Sequence, residues 1–142
     1  MNDRYLFRAK RIDNGEWVEG YYVRGLDMYE NEVHLIFEPT TIFYSHGETD
    51  GFVEVDPSTI CQCAGLRDKN GKLIYEKNIV RDEDGSVGIV EFGVWNYYSI
   101  GFYIRWLSGN AKYYRNELGY WAPKVEIIGS AFDNPELLEV ET

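Results

Sequence analysis

The side chains best suited to holding a soft metal in this chain are Cys61, Cys63, His34 and His46. A structural zinc site takes four such ligands, commonly with two at Cys-x-x-Cys spacing. Here Cys61-Gln62-Cys63 leaves one residue between the thiols, and neither histidine lies near the other. In a strand both thiols point the same way, as small buried apolar groups. No metal and no cofactor are expected. Two acidic turns, Asp68-Lys69-Asn70-Gly71 and Asp82-Glu83-Asp84-Gly85, resemble the start of a calcium loop. That loop needs oxygen ligands at positions 1, 3 and 5, Gly at 6 and Glu at 12. Counting from Asp68 puts Lys72 at position 5, and counting from Asp82 puts Ser86 at 5 and Val87 at 6. Both stretches read as solvated turns.

Catalytic patterns are missing as well. The chain has no Gly-x-Ser-x-Gly elbow, no Gly-rich phosphate loop with its Lys, and no His beside a candidate nucleophile. Gly85-Ser86-Val87-Gly88 reads as a hairpin flank, and pairs such as Glu54 and Asp56 arise by chance among 24 acidic residues. A non-enzymatic protein is the expectation, since an active site would have to be assembled from distant positions.

The aromatic run Trp95-Asn96-Tyr97-Tyr98-Ser99-Ile100-Gly101-Phe102-Tyr103-Ile104-Arg105-Trp106 is the most suggestive stretch. Its candidate patch is Trp95, Tyr97, Tyr98, Phe102, Tyr103 and Trp106. The Gly-Phe-Tyr-Ile-Arg-Trp core resembles the stacking strand of an RNA-recognition sheet, where each stacked base is worth about 1–3 kcal/mol. The basic residue that opens that motif is absent, and a net charge of −10 opposes contact with phosphates. Nucleic acid is therefore not the expected partner. Alternating aromatics more commonly fill a core or a subunit interface.

Charge singles out a second surface. Between Arg24 and Arg67 there is no Lys or Arg, while Asp27, Glu30, Glu32, Glu38, Glu48, Asp50, Glu54 and Asp56 all fall there. One acidic face over Gly25–Leu66 is expected, suited to contacting or steering a basic host or phage protein. Two rival readings follow: an acidic mimic of nucleic acid that occupies a host DNA- or RNA-binding protein, and single-strand binding through residues 95–106.

The elements that must position these residues are strands. The 142 residues, 44% apolar with 4 Trp, 12 Tyr and 7 Phe, are enough for one compact domain or two very small ones. No apolar run approaches the roughly 20 residues of a membrane-spanning helix, and Met1-Asn2-Asp3-Arg4-Tyr5 lacks a signal-peptide profile, so a soluble cytoplasmic protein is expected. Tyr5, Phe7 and Ala9 alternate with Leu6, Arg8 and Lys10; Asp13-Asn14-Gly15 and then Glu16–Val23 complete a hairpin. Further strands are expected at Val33–Phe37, Thr41–Tyr44, Gly51–Val55 and Thr59–Gly65. In the second half Ile79–Arg81, an acidic Gly turn and Val87–Phe92 form a hairpin of the kind that opens small barrels, with strands near Ser99–Trp106, Lys112–Arg115 and Val125–Ile128. The tail Asn134-Pro135-Glu136-Leu137-Leu138-Glu139 has a cap residue, Pro at the first helical position and an early Glu, which predicts a short helix. The expected fold is mainly β: an N-terminal β unit over 1–60, a connecting segment over 61–78, and a small SH3-like barrel over 79–142 with short helical turns and a short C-terminal helix.

The segment from Ala64 to Val80, Ala-Gly-Leu-Arg-Asp-Lys-Asn-Gly-Lys-Leu-Ile-Tyr-Glu-Lys-Asn-Ile-Val, resembles the central signature of the YopX family. That signature runs Thr-Gly-Leu-x-Asp-x-Asn-Gly-x-x-Ile-Tyr-Glu-Gly-Asp-Ile-Val. Phe7-Arg8-Ala9 matches upstream, and Val125-Glu126-Ile127-Ile128-Gly129 with Asn134-Pro135-Glu136-Leu137-Leu138 matches downstream. Two departures stand out: Ala64 replaces the usual Thr, and Lys77-Asn78 replaces Gly-Asp. If that Gly normally takes a positive φ, Lys77 either bears strain or marks a different turn. The resemblance implies a phage or prophage protein of the bacterial cytoplasm with a β-rich fold that forms homo-oligomers. It implies no activity and carries over no catalytic or binding residue. Read physically, Asp68–Gly71 is a β-turn between the apolar residues Leu66 and Ile74.

Overall fold

The computed structural model describes residues 3–43, 49–107 and 115–139. The chain divides into two compact units, Met1–Cys63 and Ala64–Thr142. Both are built from antiparallel strands, so the mainly β expectation holds.

In the first unit β1 (Phe7–Lys10) pairs with β2 (Trp17–Leu26), β2 with β3 (Glu32–Phe43), and β3 with β4 (Thr49–Glu54). The free edge of β1 takes the start of β5 (Cys61–Arg67) through Phe7↔Gln62 and Arg8↔Cys61. The β1–β2 connection is a longer loop than a two-residue turn: Arg11 N donates to Glu16 O at 2.9 Å, and Gly15 supplies the left-handed step at φ 73°. The two strands expected at Val33–Phe37 and Thr41–Tyr44 run on as one, β3, interrupted by a register shift between Phe37 and Ile42. Pro39 lies in that shift, where a residue unable to donate to the ladder is tolerated. Tyr44 lies outside the described residues. Ala9, Ile36 and Val55 are fully buried, with Phe7, Val18, Tyr22, Val53 and Ile60 packed around them.

In the second unit β6 (Leu73–Tyr75) precedes a four-stranded antiparallel sheet in the order β10-β7-β8-β9. Its strands are β7 (Asn78–Asp82), β8 (Val87–Trp95), β9 (Ser99–Trp106) and β10 (Val125–Ser130). Of the SH3-like barrel expected here, the described residues show this four-stranded order, with an isolated bridge from Glu117 to Tyr103 on the outer side of β9. Its core comprises Ile74, Val80, Val90, Ile104, Leu118 and Val125 with Ala64, Trp106, Trp121 and Ala122. Trp106 and Trp121 meet edge to face, centroids 5.1 Å apart. Trp121 comes from a four-residue helix, α1 (Leu118–Trp121), which no sequence pattern announced. Leu118 and Trp121, three apart, bury one side of it, and Trp121 Nε1 donates to Arg115 O at 2.9 Å. The expected strand at Lys112–Arg115 falls outside the described residues except for Arg115, which is in no strand. The C-terminal helix is one 3-10 turn, Pro135–Leu138; Asn134 Oδ1 accepts from Ser130 N at 3.2 Å instead of capping that turn.

The signature segment does structural work. Asp68 is buried, and its carboxylate accepts the backbone N–H groups of Asn70, Lys72 and Ile127, each at 2.9 Å. The last of these ties the turn to β10. Burial pushes its pKa up, but the three N–H donors outweigh that and hold it below the usual carboxylate range. Lys77 sits at φ 68°, so it takes the left-handed conformation that the family's Gly would take freely. No helix among the described residues is long and apolar enough to cross a membrane.

Candidate functional site

The β8–β9 hairpin is long, and its register runs from Gly88↔Trp106 to Trp95↔Ser99. Alternation gives it two faces. On one face lie Val90, Phe92 and Val94 of β8 opposite Ile104, Phe102 and Ile100 of β9. Val90 and Ile104 are fully buried and Trp106 is 8% exposed, because this end of the hairpin covers the core. Farther out the same apolar stripe leaves the core: Phe92 is 50% exposed, Val94 66% and Ile100 73%. Phe92 and Phe102 still touch, edge to face at 5.0 Å.

At the tip, Tyr97 and Tyr98 are 93% and 94% exposed. Asn96 and Tyr97 both have positive φ, 54° and 65°. Asn tolerates that conformation, whereas an aromatic residue bears roughly 1 kcal/mol or more for it. Tyr97 therefore costs stability through its backbone, and its ring, left in water, recovers none of that by burial. From Phe92 to Ile104 no side chain carries Asp, Glu, Lys or Arg.

The opposite face is polar and paired. Glu91 receives Arg105 at 3.1 Å and Lys77 at 3.5 Å, and the Tyr103 hydroxyl lies 3.5 Å from it. Burial first, and then the Glu91 charge, push the Tyr103 hydroxyl above its ordinary value. Trp95 leans over Tyr103 at 6.2 Å.

The six aromatics singled out in the sequence are thus divided: Tyr97 and Tyr98 at the tip, Phe102 on the apolar stripe, Trp95 and Tyr103 on the polar face, Trp106 in the core. Phe92, Val94 and Ile100 complete the stripe and were missed. Their signal was alternation combined with hairpin register, which pairs Phe92 with Phe102 and Val94 with Ile100.

The acidic residues of the first unit are dispersed. Asp27 Oδ1 accepts the N–H groups of Tyr29 at 2.8 Å and Asn31 at 2.9 Å, and these bonds, Asn31 first, depress its pKa. Glu30 occupies the same loop at φ 65°. Glu32 pairs with Arg24 and lies 3.7 Å from His34 Nε2. Asp56 caps the 3-10 turn Pro57–Thr59 through Ser58 N. Glu54 lies opposite Leu35, three residues from Glu32 along β3 and so on the other face of the sheet. Glu38 lies beside the register shift, Asp50 is in β4 opposite Ile42 with its side chain outside the description, and Glu48 is outside the described residues.

The register also brings together a group that the sequence hid. Tyr22 Oη and His34 Nδ1 are hydrogen-bonded at 2.6 Å with rings stacked 5.9 Å apart, and His34 Nε2 faces Glu32. A surface cleft of about 390 Å³ lies alongside, lined by Arg24, Gly25, Leu26, Glu30 and Glu32. Among the described residues no group of three His, Cys, Asp or Glu could hold a metal. The calcium-like turns direct their carboxylates inward: Asp68 as described, and Asp82 onto Asp84 N and Ser86 N. Cys61 and Cys63 are buried, and Cys61 Sγ donates to Thr59 O.

A family model described as YopX protein matches residues 6–139, nearly the whole chain. The chain belongs to the YopX family. Among solved structures, the X-ray structure of protein yopX from Bacillus subtilis is 19% identical over 100% of both chains, with a TM-score of 0.49. No curated protein matches the chain. Against the YopX signature, the Lys77-Asn78 departure is now explicit: Lys77 takes the left-handed step, and Asn78 Oδ1 accepts the N–H of Tyr75 at 2.7 Å to close the turn.

Proposed function

We propose that this protein is a non-catalytic accessory module of phage or prophage origin that works in the bacterial cytoplasm by binding protein, using the outer half of the β8–β9 hairpin. One observation carries the reading: an uncharged apolar stripe runs past the edge of its own core to a tip where Tyr97 is both exposed and in the left-handed region. A residue that bears backbone strain and gains nothing from burial fits a contact surface better than a fold determinant. The paired carboxylates and dispersed acids of the first unit supply a steering field at most.

The test is a nuclease-treated pull-down from the bacterial host with wild type and with a Tyr97→Ser/Tyr98→Ser variant. Loss of a stoichiometric protein from the variant, with folding intact, supports the reading. Equal recovery by both refutes it. A second reading, stacking of single-stranded bases, is favoured by the exposure of the two tyrosines. Fluorescence quenching by an oligonucleotide that the same variant abolishes would favour it.

A further inference from the structure

We infer that the hairpin takes its partner as an added strand: an extended segment of another protein, apolar at alternate positions and basic at its ends, pairs with the outer edge of β9 at Ser99–Phe102. The inference rests on the protein-binding reading above and gives the partner's chemistry. Three observations lead to it.

The first is the backbone. Ile104 N donates to Asn116 O at 2.8 Å, on the side of β9 away from β8. Along an antiparallel strand alternate residues turn both backbone groups to the same side, so Phe102 and Ile100 aim theirs outward as well. Among the described residues the bridge Tyr103↔Glu117 is the last pairing on that side. The N–H groups of Phe102 and Ile100 and the C=O of Ile100 are left there without a strand partner.

The second is that nothing blunts this edge. Exposed edges are normally protected by charged side chains, Pro or a bulge. From Phe92 to Ile104 there is no Asp, Glu, Lys, Arg or Pro, and the β8–β9 register runs unshifted to the turn. Asn116 and Glu117 cover the inner half of the same edge, and the outer half carries none of these devices.

The third is the flank. Ile100, 73% exposed, and Phe102 stand on the apolar stripe beside that edge, with Val94 and Phe92 behind them. A strand laid against β9 brings every second side chain onto this face. One segment therefore covers the stripe and hydrogen-bonds the edge together. Its other side chains fall on the Tyr103 face, where a side chain above Gly101 would meet open space. The net charge of −10 disfavours acidic segments and draws basic ends.

The probe is a blocked peptide, Lys-Thr-Val-Thr-Ile-Thr-Val-Lys, added to the full chain, with amide hydrogen exchange read residue by residue. Saturating peptide should slow exchange of the Ile100 and Phe102 amides at least tenfold and leave that of Gly101, which faces Gly93 in the ladder, unchanged. The same peptide with Pro in place of Ile should give no protection, because Pro breaks strand pairing. Ile100→Pro removes one outward donor and should abolish binding, while Ile100→Val should retain it. If Ile100→Pro unfolds the hairpin, the two peptides on wild type still decide. Absence of protection at millimolar peptide overturns the inference, as does equal protection by the Pro peptide. So does protection of the same amides that grows with protein concentration in the absence of peptide, which would give the edge to a second copy. Tyrosine-dependent capture in the pull-down that a folded Ile100→Pro variant leaves intact would uphold the protein-binding reading and overturn this one, so the two fail separately.

Discussion

Lys77 is the sharpest place to test whether local backbone energetics have been read correctly. It stands at φ 68° between β6 and β7, its N–H donating to Val90 O at 2.7 Å and its carbonyl accepting from Ala131 N at 2.9 Å. Those bonds pin the conformation, so a substitution cannot relax it cheaply. A residue with a Cβ bears about 1–2 kcal/mol in the left-handed region. Gly avoids that but loses about 0.5–1 kcal/mol of extra chain entropy on folding. The side chain also pairs with Glu91 at 3.5 Å, and with both groups partly exposed this is worth about 0.2–1 kcal/mol. Lys77→Ala loses the pair and keeps the strain, and should destabilise by a few tenths of a kcal/mol. Lys77→Gly loses the pair and the strain together. Their difference removes the pair from the comparison and should favour Gly by about 0.5–1 kcal/mol, a few degrees in melting midpoint at roughly 4–8 °C per kcal/mol. At an ordinary extended position the order is reversed, with Ala above Gly. Thermal and urea unfolding followed by Trp fluorescence would read this directly. An Ala variant as stable as the Gly variant would refute the argument.

Asp68 should behave oppositely, as a residue whose charge the fold needs. Its folded pKa lies below the unfolded value near 3.8, so its contribution is present above that pH and lost as pH falls through the folded value. Asp68→Asn should cost about 1.5–3 kcal/mol at neutral pH, and the gap to wild type should narrow in acid; a constant gap in urea titrations from pH 7 to pH 2 would contradict this. Trp121→Ala should cost about 3–5 kcal/mol, because it empties the contact with Trp106, and denaturant midpoints would measure it. Tyr97→Gly should raise stability by up to about 1 kcal/mol while reducing partner capture, a combination that calorimetry and the pull-down would detect together.

Much of this architecture is legible in the residues themselves. Period-two alternation marks β1, β2, β8 and β9, and the Asn, Asp and Gly clusters mark their turns, because side-chain direction and positive φ are local properties. The segment Ala64–Val80 with its flanking matches was enough to recognise the family, and the Lys77 departure posed a question that one backbone angle then answered. Helix α1 was not legible, since four residues are too few to establish a period, and it is held in place by Trp121 against Trp106. Nor was the Tyr22–His34–Glu32 group, which depends on the register Tyr22↔Ile36 and Arg24↔His34.

The aromatic run shows the division most clearly. Its alternation by itself determined that Ile100, Phe102, Ile104 and Trp106 share one side of a strand. Only the tertiary structure decided that Ile104 and Trp106 are core while Ile100 lies in the open, because burial depends on how far along the hairpin the rest of the chain reaches, and that length is written in no single strand.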